Sequence, residues 1–342
     1  MKKILIILLI IGVAVGLYAY YKLGSVYESN VDTQGKEVEF FIYTGSTYEQ
    51  VEGGLFELGI LEDEESFKWV AEKKKYPGRI RKGRYIIEDG MSNNDLVDML
   101  RAGNQVPVKV SFNNVRNLSQ LAGKLSQRLA PDSTEFLVHL TDRATIEKYG
   151  FEPETFISMF IPNTYELYWT TSAEDFVERM AKEFKAFWTD DRLAKARLLG
   201  LTQSEVVTLA SIVQAEQSAN PAEWRTIAGL YLNRIKRDIP LQSDPTVIFA
   251  VGDFGIKRVL NKHLKFKNPY NTYVNTGLPP GPIRMPDIGC VDAVLNPEKH
   301  DYIFMCADAS LIGKHHFSKT NREHERHARA YRQEMDRQKV FE

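Results

Sequence analysis

The chain has 342 residues, with 44 Lys and Arg against 45 Asp and Glu for a formal net charge of −1. Hydrophobic residues make up 43% and charged residues 26%, which excludes a disordered or collagen-like chain and leaves room for two or three domains. The near-neutral balance speaks against a nucleic-acid binder, whose phosphate contacts call for a basic surplus.

The chain opens on Met1-Lys2-Lys3 and an uncharged apolar run from Ile4 to Tyr21. Its 18 residues span about 27 Å as a helix, close to the hydrocarbon thickness of a bilayer. Tyr18, Tyr20 and Tyr21 gather where interfacial rings belong, and Lys22 follows. Residues 1–22 are therefore expected to be a single-pass anchor in the cell (inner) membrane. Lys2 and Lys3 stay on the cytoplasmic side, and everything after Lys22 faces outward. The rival is a cleaved signal peptide with Ala14-Val15-Gly16 as a weak processing site. No Cys follows the run, which excludes a lipoprotein.

Residues 36–125 repeat a small design of strand, turn and helix. Val38–Tyr43 is β-prone, Gly45 turns the chain, Thr47 can cap a helix, and Val51 and Leu55 share a helical face. The second copy runs through Tyr85–Ile87, Gly90, Ser92, Leu96 and Leu100, closed by Gly103 as a left-handed cap. The third is looser: Val108–Phe112, Asn117, Leu121 and Leu125. Such units must pack together to bury their apolar faces. They read either as a generic α+β scaffold or as a carbohydrate-binding module of the LysM kind. Lys73-Lys74-Lys75 and Arg79–Arg84 read as a solvated face or as a surface for anionic lipid or acidic glycan. Residues 126–200 read as helical, for example Phe176–Trp188 by its apolar spacing, and a second domain is expected from about residue 150.

Thr202-Gln203-Ser204-Glu205 is a capping box opening an apolar-periodic helix that Asn220-Pro221 should end. On a helical wheel Glu216 falls between Leu209, Ile212 and Val213, on the buried stripe. A desolvated carboxyl resists ionisation, as a general acid for a glycosidic oxygen requires. The bland alternative is a helix-end Glu reaching water or pairing with Arg225 or Arg234. Downstream, Leu241–Thr246 (LQSDPT), Tyr270–Tyr273 (YNTY) and Gly277–Ile283 (GLPPGPI) are loops rich in amides, hydroxyls, aromatics and rigid turns, suited to a sugar cleft.

Ala210–Glu216 (ASIVQAE) and those three strings, in this order, resemble the endolytic murein transglycosylases, the YceG-like family. The resemblance spans roughly residues 36–335. It implies an enzyme that cuts nascent peptidoglycan glycan strands within the chain and leaves 1,6-anhydro-N-acetylmuramic ends. It works beside glycan polymerases (penicillin-binding proteins), with its catalytic domain on the outer face of the membrane. The family's essential acid corresponds to Glu216. The family's other acid two residues earlier is Gln214 here, so a single carboxylate would serve as acid and then as base, with no metal or cofactor. Before Pro162-Asn163-Thr164-Tyr165 the family has an acid and a glycine where this chain has Ile157 and Ser158.

Gln242, Asp244, Asn271 and Tyr273 are expected to position sugar or to hold the loops, and Asp244, if it stood about 5–10 Å from Glu216, would instead favour hydrolysis by a carboxylate pair. The fold class is α+β: an N-terminal membrane helix, a small LysM-like α/β module at 36–125 and a larger catalytic α+β domain at 150–335. His315, His316, His324 and His327 cluster near the C-terminus, but His324 and His327 stand three apart and not the four of a zincin, so they read as solvent-facing. The resemblance to the YceG-like family also takes in a His-x-Phe and a later Glu-His, matched here by His316 and Glu323-His324, and implies no metal there. Cys290 and Cys306 fit no zinc cage or disulfide framework and read as core residues or one reducible bridge. A non-catalytic peptidoglycan-binding scaffold and a true hydrolase using water are the competing functions.

Overall fold

A computed structural model describes residues 2–310 and 313–337. Met1 of the expected anchor lies outside the described residues. The chain is a mixed α+β protein that divides into two compact units. One comprises Met1–Val110, Gln127–Pro131 and Tyr165–Ser172, and the other Ser111–Ser126, Asp132–Thr164 and Ala173–Glu342.

The first unit begins with α1 (Lys2–Tyr27), whose large apolar side chains from Ile4 to Tyr21 are each more than half exposed. A helical stretch apolar on every side and exposed from Ile4 to Tyr21 is compatible with a membrane span. Strands β1 (Val38–Ile42) and β2 (Gly83–Ile87) pair antiparallel, Val38 facing Ile87 and Ile42 facing Gly83. Phe40 and Ile42 point into the core from β1, and Tyr85 and Ile87 from β2, as the two-residue period of a strand dictates. Helices α2 (Tyr48–Glu57), α3 (Glu64–Lys73) and α4 (Asn93–Ala102) cover this sheet with Val51, Leu55, Phe67, Val70, Leu96 and Leu100. Thr47 and Ser92 cap α2 and α4, and Gly103 ends α4 at φ 77°, as their residue types require. The sequence reading assigned no element to α3. Asp63 caps it and Phe67, Val70 and Ala71 form its buried face, but a surround of charge obscured that short stripe.

Strands β3 (Val108–Phe112) and β4 (Asn163–Leu167) form a second small sheet, so the 126–200 stretch is not helical throughout: alternating burial of Tyr165 and Leu167 makes its middle a strand. In the second unit, α5 (Leu118–Ser126), α6 (Ser133–Thr141), α7 (Arg143–Lys148), α8 (Ala173–Phe187) and α9 (Asp190–Leu199) precede a central helix, α10 (Gln203–Glu216). Around α10 lie α11 (Trp224–Lys236), α12 (Asp244–Val251) and α14 (Ile288–Leu295), with α13 (Asn261–Leu264) beyond them. Hairpin β5 (Phe304–Ala307) and β6 (His315–Ser318) precede the last helix, α15 (Asn321–Arg337). The capping box at Thr202 and Glu205 is present. Two expectations for α10 fail. Every residue from Val206 to Gln214 is buried, so there is no stripe opposed by a solvent face. The helix also ends at Glu216, four residues before Asn220, because Gln217 leaves the helical region at φ −134°, ψ 83°. Cys290 is buried with its Sγ 3.2 Å from the Ala210 carbonyl, and both cysteines are free thiols.

The GLPPGPI loop is seated on α10 by the Ile283 N–H, which donates to the buried Ser211 Oγ at 3.1 Å. At Gly281 the chain passes against the Glu154 backbone, where a Cβ would overlap the carbonyl. Gly281→Ala is therefore expected to destabilise the second unit by about 2 kcal/mol or more, since backbone cannot yield as a flexible side chain does. Chemical denaturation compared with Gly277→Ala, whose Cβ meets open space but whose φ is 75°, checks this.

Candidate functional site

Glu216 is the last residue of α10 and lies at one wall of a cleft of about 300 Å³. Tyr231 and Arg234 of α11, Gln242, Tyr273, Phe304 of β5 and His324 of α15 also line it. The side chain of Glu216 is neither in the core nor in bulk water; it is partly buried, with one side on the cleft. Desolvation pushes its carboxyl from the ordinary 4.5 up to about 7, and the nearby Asp244 charge adds to the rise. Ser243, Tyr231 and Arg234 oppose the shift without cancelling it. The Ser243 hydroxyl donates to Glu216 Oε2 at 2.9 Å.

Neither arginine proposed as a partner binds the carboxylate. Arg225 gives its Nε to the Asn296 carbonyl at 2.7 Å. Arg234 is buried and donates to the carbonyls of Ile303, Pro240 and Leu241 and to Gln242 Oε1, at 2.6–3.1 Å. It is a cation that organises the cleft's backbone, and burial lowers its own pKa. The Tyr231 hydroxyl is buried beside Glu216 and Ser243 with no hydrogen bond of good geometry.

The loop residues separate into two kinds. Gln242 is exposed and holds a left-handed backbone at φ 54°, a conformation costing an L-residue about 1 kcal/mol, tied by its N–H to the Thr272 carbonyl. Asp244 is exposed and accepts a 2.6 Å hydrogen bond from the Tyr273 hydroxyl, whose pKa burial raises well above its usual range. Asn271, in contrast, is fully buried: its amide donates to the Leu264 and Phe266 carbonyls and its Oδ1 accepts from the Tyr273 N–H. It holds the loop from behind and leaves no polar atom for a ligand. Thr272 clasps the two strings together, its hydroxyl accepting from the Ser243 N–H at 3.1 Å and bonding Thr246 at 2.8 Å. Residues 247–270 are thus an excursion closed at its neck beside Glu216.

Sequence reasoning missed Ser243 and Tyr231, and it set His324 on the solvent face. His324 is half-buried, stacked on Phe304 with centroids 5.3 Å apart, and burial lowers its pKa. His315 bonds Glu223 at 2.8 Å and His316 bonds Asp308 at 3.0 Å.

A family model described as the YceG-like family matches residues 40–330. The chain belongs to this family. An endolytic murein transglycosylase of Bacillus subtilis is 27% identical over 339 residues, covering 94% of this chain and 91% of the relative. One of Streptococcus pneumoniae is 25% identical over 350 residues, covering 91% of this chain and 61% of the relative. The crystal structure of a YceG-like protein from Listeria monocytogenes superimposes with a TM-score of 0.56 at 26% identity, covering 85% of this chain and 98% of the other.

The two departures from the YceG-like pattern now have a structural setting. Gln214 lies two residues before Glu216, about 200° away around the helix. Its amide donates to Asp287 Oδ2 at 2.7 Å and its oxygen accepts from the Asp287 N–H at 2.6 Å. An amide satisfies both groups, whereas a carboxylate would face Asp287 with like charge. Ile157 and Ser158 are buried in a short 3₁₀ turn and form part of the core.

Gln214→Glu is expected to cost about 1–3 kcal/mol near pH 8 and less at low pH, where the new carboxyl can take a proton. Unfolding curves at the two pH values test it. A second expectation concerns Glu216. Folding raises its pKa, so the folded chain keeps a proton that the unfolded chain releases between pH 4.5 and about 7, and stability falls as pH rises through that window. Glu216→Gln should therefore stabilise the protein by at most about 3 kcal/mol above pH 7, reduced by the open side of the cleft, and by little near pH 4.5.

Proposed function

We propose that this chain is a membrane-anchored peptidoglycan lytic transglycosylase of the endolytic kind, with Glu216 as its acid and base. One observation carries the reading. Glu216, held by Ser243 through one oxygen and facing a cleft, has its carboxyl pKa pushed up to about 7. The names and the coverage of the B. subtilis and S. pneumoniae relatives support the activity.

The chemistry follows from having one such group. Protonated Glu216 donates to the glycosidic oxygen as the MurNAc C1–oxygen bond breaks and the GlcNAc hydroxyl leaves. The carboxylate so formed takes the proton of the muramyl C6 hydroxyl as that oxygen bonds to C1, closing the 1,6-anhydro ring. Glu216 ends as it began, and no water is consumed. Ser243 steadies the anionic stage, and the buried Tyr231 hydroxyl stands beside it. Gln242 and Tyr273 are sugar contacts on the cleft wall, with Asp244 orienting Tyr273.

In this reading α1 holds the chain in the cell membrane, with both units on the outer face. Residues 36–125 act as a LysM-like glycan-binding module and residues 150–335 as the catalytic domain. The substrate is nascent glycan strands, and glycan polymerases are the partners.

The test is digestion of uncrosslinked glycan by the full chain, with products identified by mass spectrometry. Anhydro-muropeptides are expected from the native chain, falling as pH rises above about 7, and none from Glu216→Gln. Reducing-end MurNAc would assign hydrolysis. Glycan binding without turnover would assign a scaffold, and undiminished turnover by Glu216→Gln would remove the acid.

A further inference from the structure

The first unit is not hung from its apolar helix by a loose linker. α1 runs without a break to Tyr27, six residues past Tyr21, where its uncharged run ends. Its last turns pack against α3 and α4. The Ser25 carbonyl accepts a 2.9 Å hydrogen bond from Asn93 Nδ2, and Asn93, fully buried, also bonds Ser66 and Asn30 at 2.8 Å. A buried amide committed to three partners makes this a fixed joint.

The joint also sets a depth. Lys22 is the first charged residue after the apolar run, so in a helix whose apolar run fills the hydrocarbon it stands at the outer headgroup layer. Its Nζ lies 4.4 Å from the centroid of the Trp69 ring on α3, and Lys73 Nζ lies 5.8 Å from the same ring. The partly exposed Trp69 therefore shares the level of Lys22, flanked by two cations. Indole rings and lysines together are what a phospholipid interface attracts, the ring for its amphipathic character and the ammonium groups for lipid phosphates.

We propose that α3 rests on the outer headgroup layer, with Trp69 in the interface and Lys22 and Lys73 facing anionic lipid phosphates, so that the first unit is a rigid, membrane-seated continuation of the anchor. This rests on the anchor reading of α1. It gives the Lys73-Lys74-Lys75 run a lipid partner on its Lys73 side, while Lys74 is held by Asp98 at 2.6 Å.

Depth-dependent quenching tests it, with the full chain in nanodiscs of phosphatidylglycerol and phosphatidylcholine brominated at shallow or deep acyl positions. The other three tryptophans, Trp169, Trp188 and Trp224, are buried at 8% exposure or less and supply a constant background. Shallow bromine is expected to quench the native chain more than deep bromine, with the quenched component lost in Trp69→Phe. Lys73→Glu is expected to reduce it in discs containing phosphatidylglycerol and not in phosphatidylcholine alone. Equal melting curves for the variants show that the fold is kept. Equal quenching of native chain and Trp69→Phe, or Trp69 emission that responds to soluble glycan fragments and not to brominated lipid, overturns the proposal. A chain that never enters the discs instead defeats the anchor reading.

Discussion

The second unit depends on a carboxyl group standing at the end of a helix with no solvent side. α10 is buried from Val206 to Gln214, and Glu216 at its end is partly buried, with one side on the cleft. An ionised carboxylate there loses hydration that nearby donors restore only in part. It also stands at the negative end of the helix dipole, which disfavours charge further. The Ser243 hydrogen bond and the charge of Arg234 pull its pKa part of the way back down. The balance leaves a side chain able to exist in both protonation states at neutral pH.

The surrounding architecture serves that balance. Arg234 can be buried without a bonded carboxylate because backbone carbonyls and an amide take its N–H groups. The Pro240 and Leu241 carbonyls and the Gln242 amide belong to the segment that delivers Ser243, so the cation that tempers Glu216 also holds the segment carrying the hydroxyl that binds it. Gln214 and Asp287 do comparable work on the far side of α10, fastening the start of α14 to the core helix without adding a second charge near the first.

Local signals were legible where one residue type decides the backbone. Thr47, Ser92, Gly103 and the Thr202–Glu205 box are all found at the helix ends their chemistry prescribes. Periodicity misled where tertiary burial overrode it. A wheel can place Glu216 beside Leu209 and Ile212, but it cannot reveal that the opposite face is also covered. His324 was misread for the converse reason: its helix is charged, and only the hairpin contributing Phe304 makes that one position part of a cleft. Asn271 and Gln242 stand in equally polar strings, and nothing local distinguishes the one that turns inward from the one that stays exposed.

Thr272 joins the strings on either side of the 247–270 excursion, and the join has an evolutionary side. Closing a loop costs entropy that grows only with the logarithm of its length, so once the ends are fastened the exposed stretch around Phe254 and Leu260 can change in length at little cost. Insertions, deletions and new side chains around Phe254 and Leu260, both exposed here, would leave Ser243 and its hydrogen bond where they are. One clasp thereby separates the outer rim from the position of Ser243 beside Glu216.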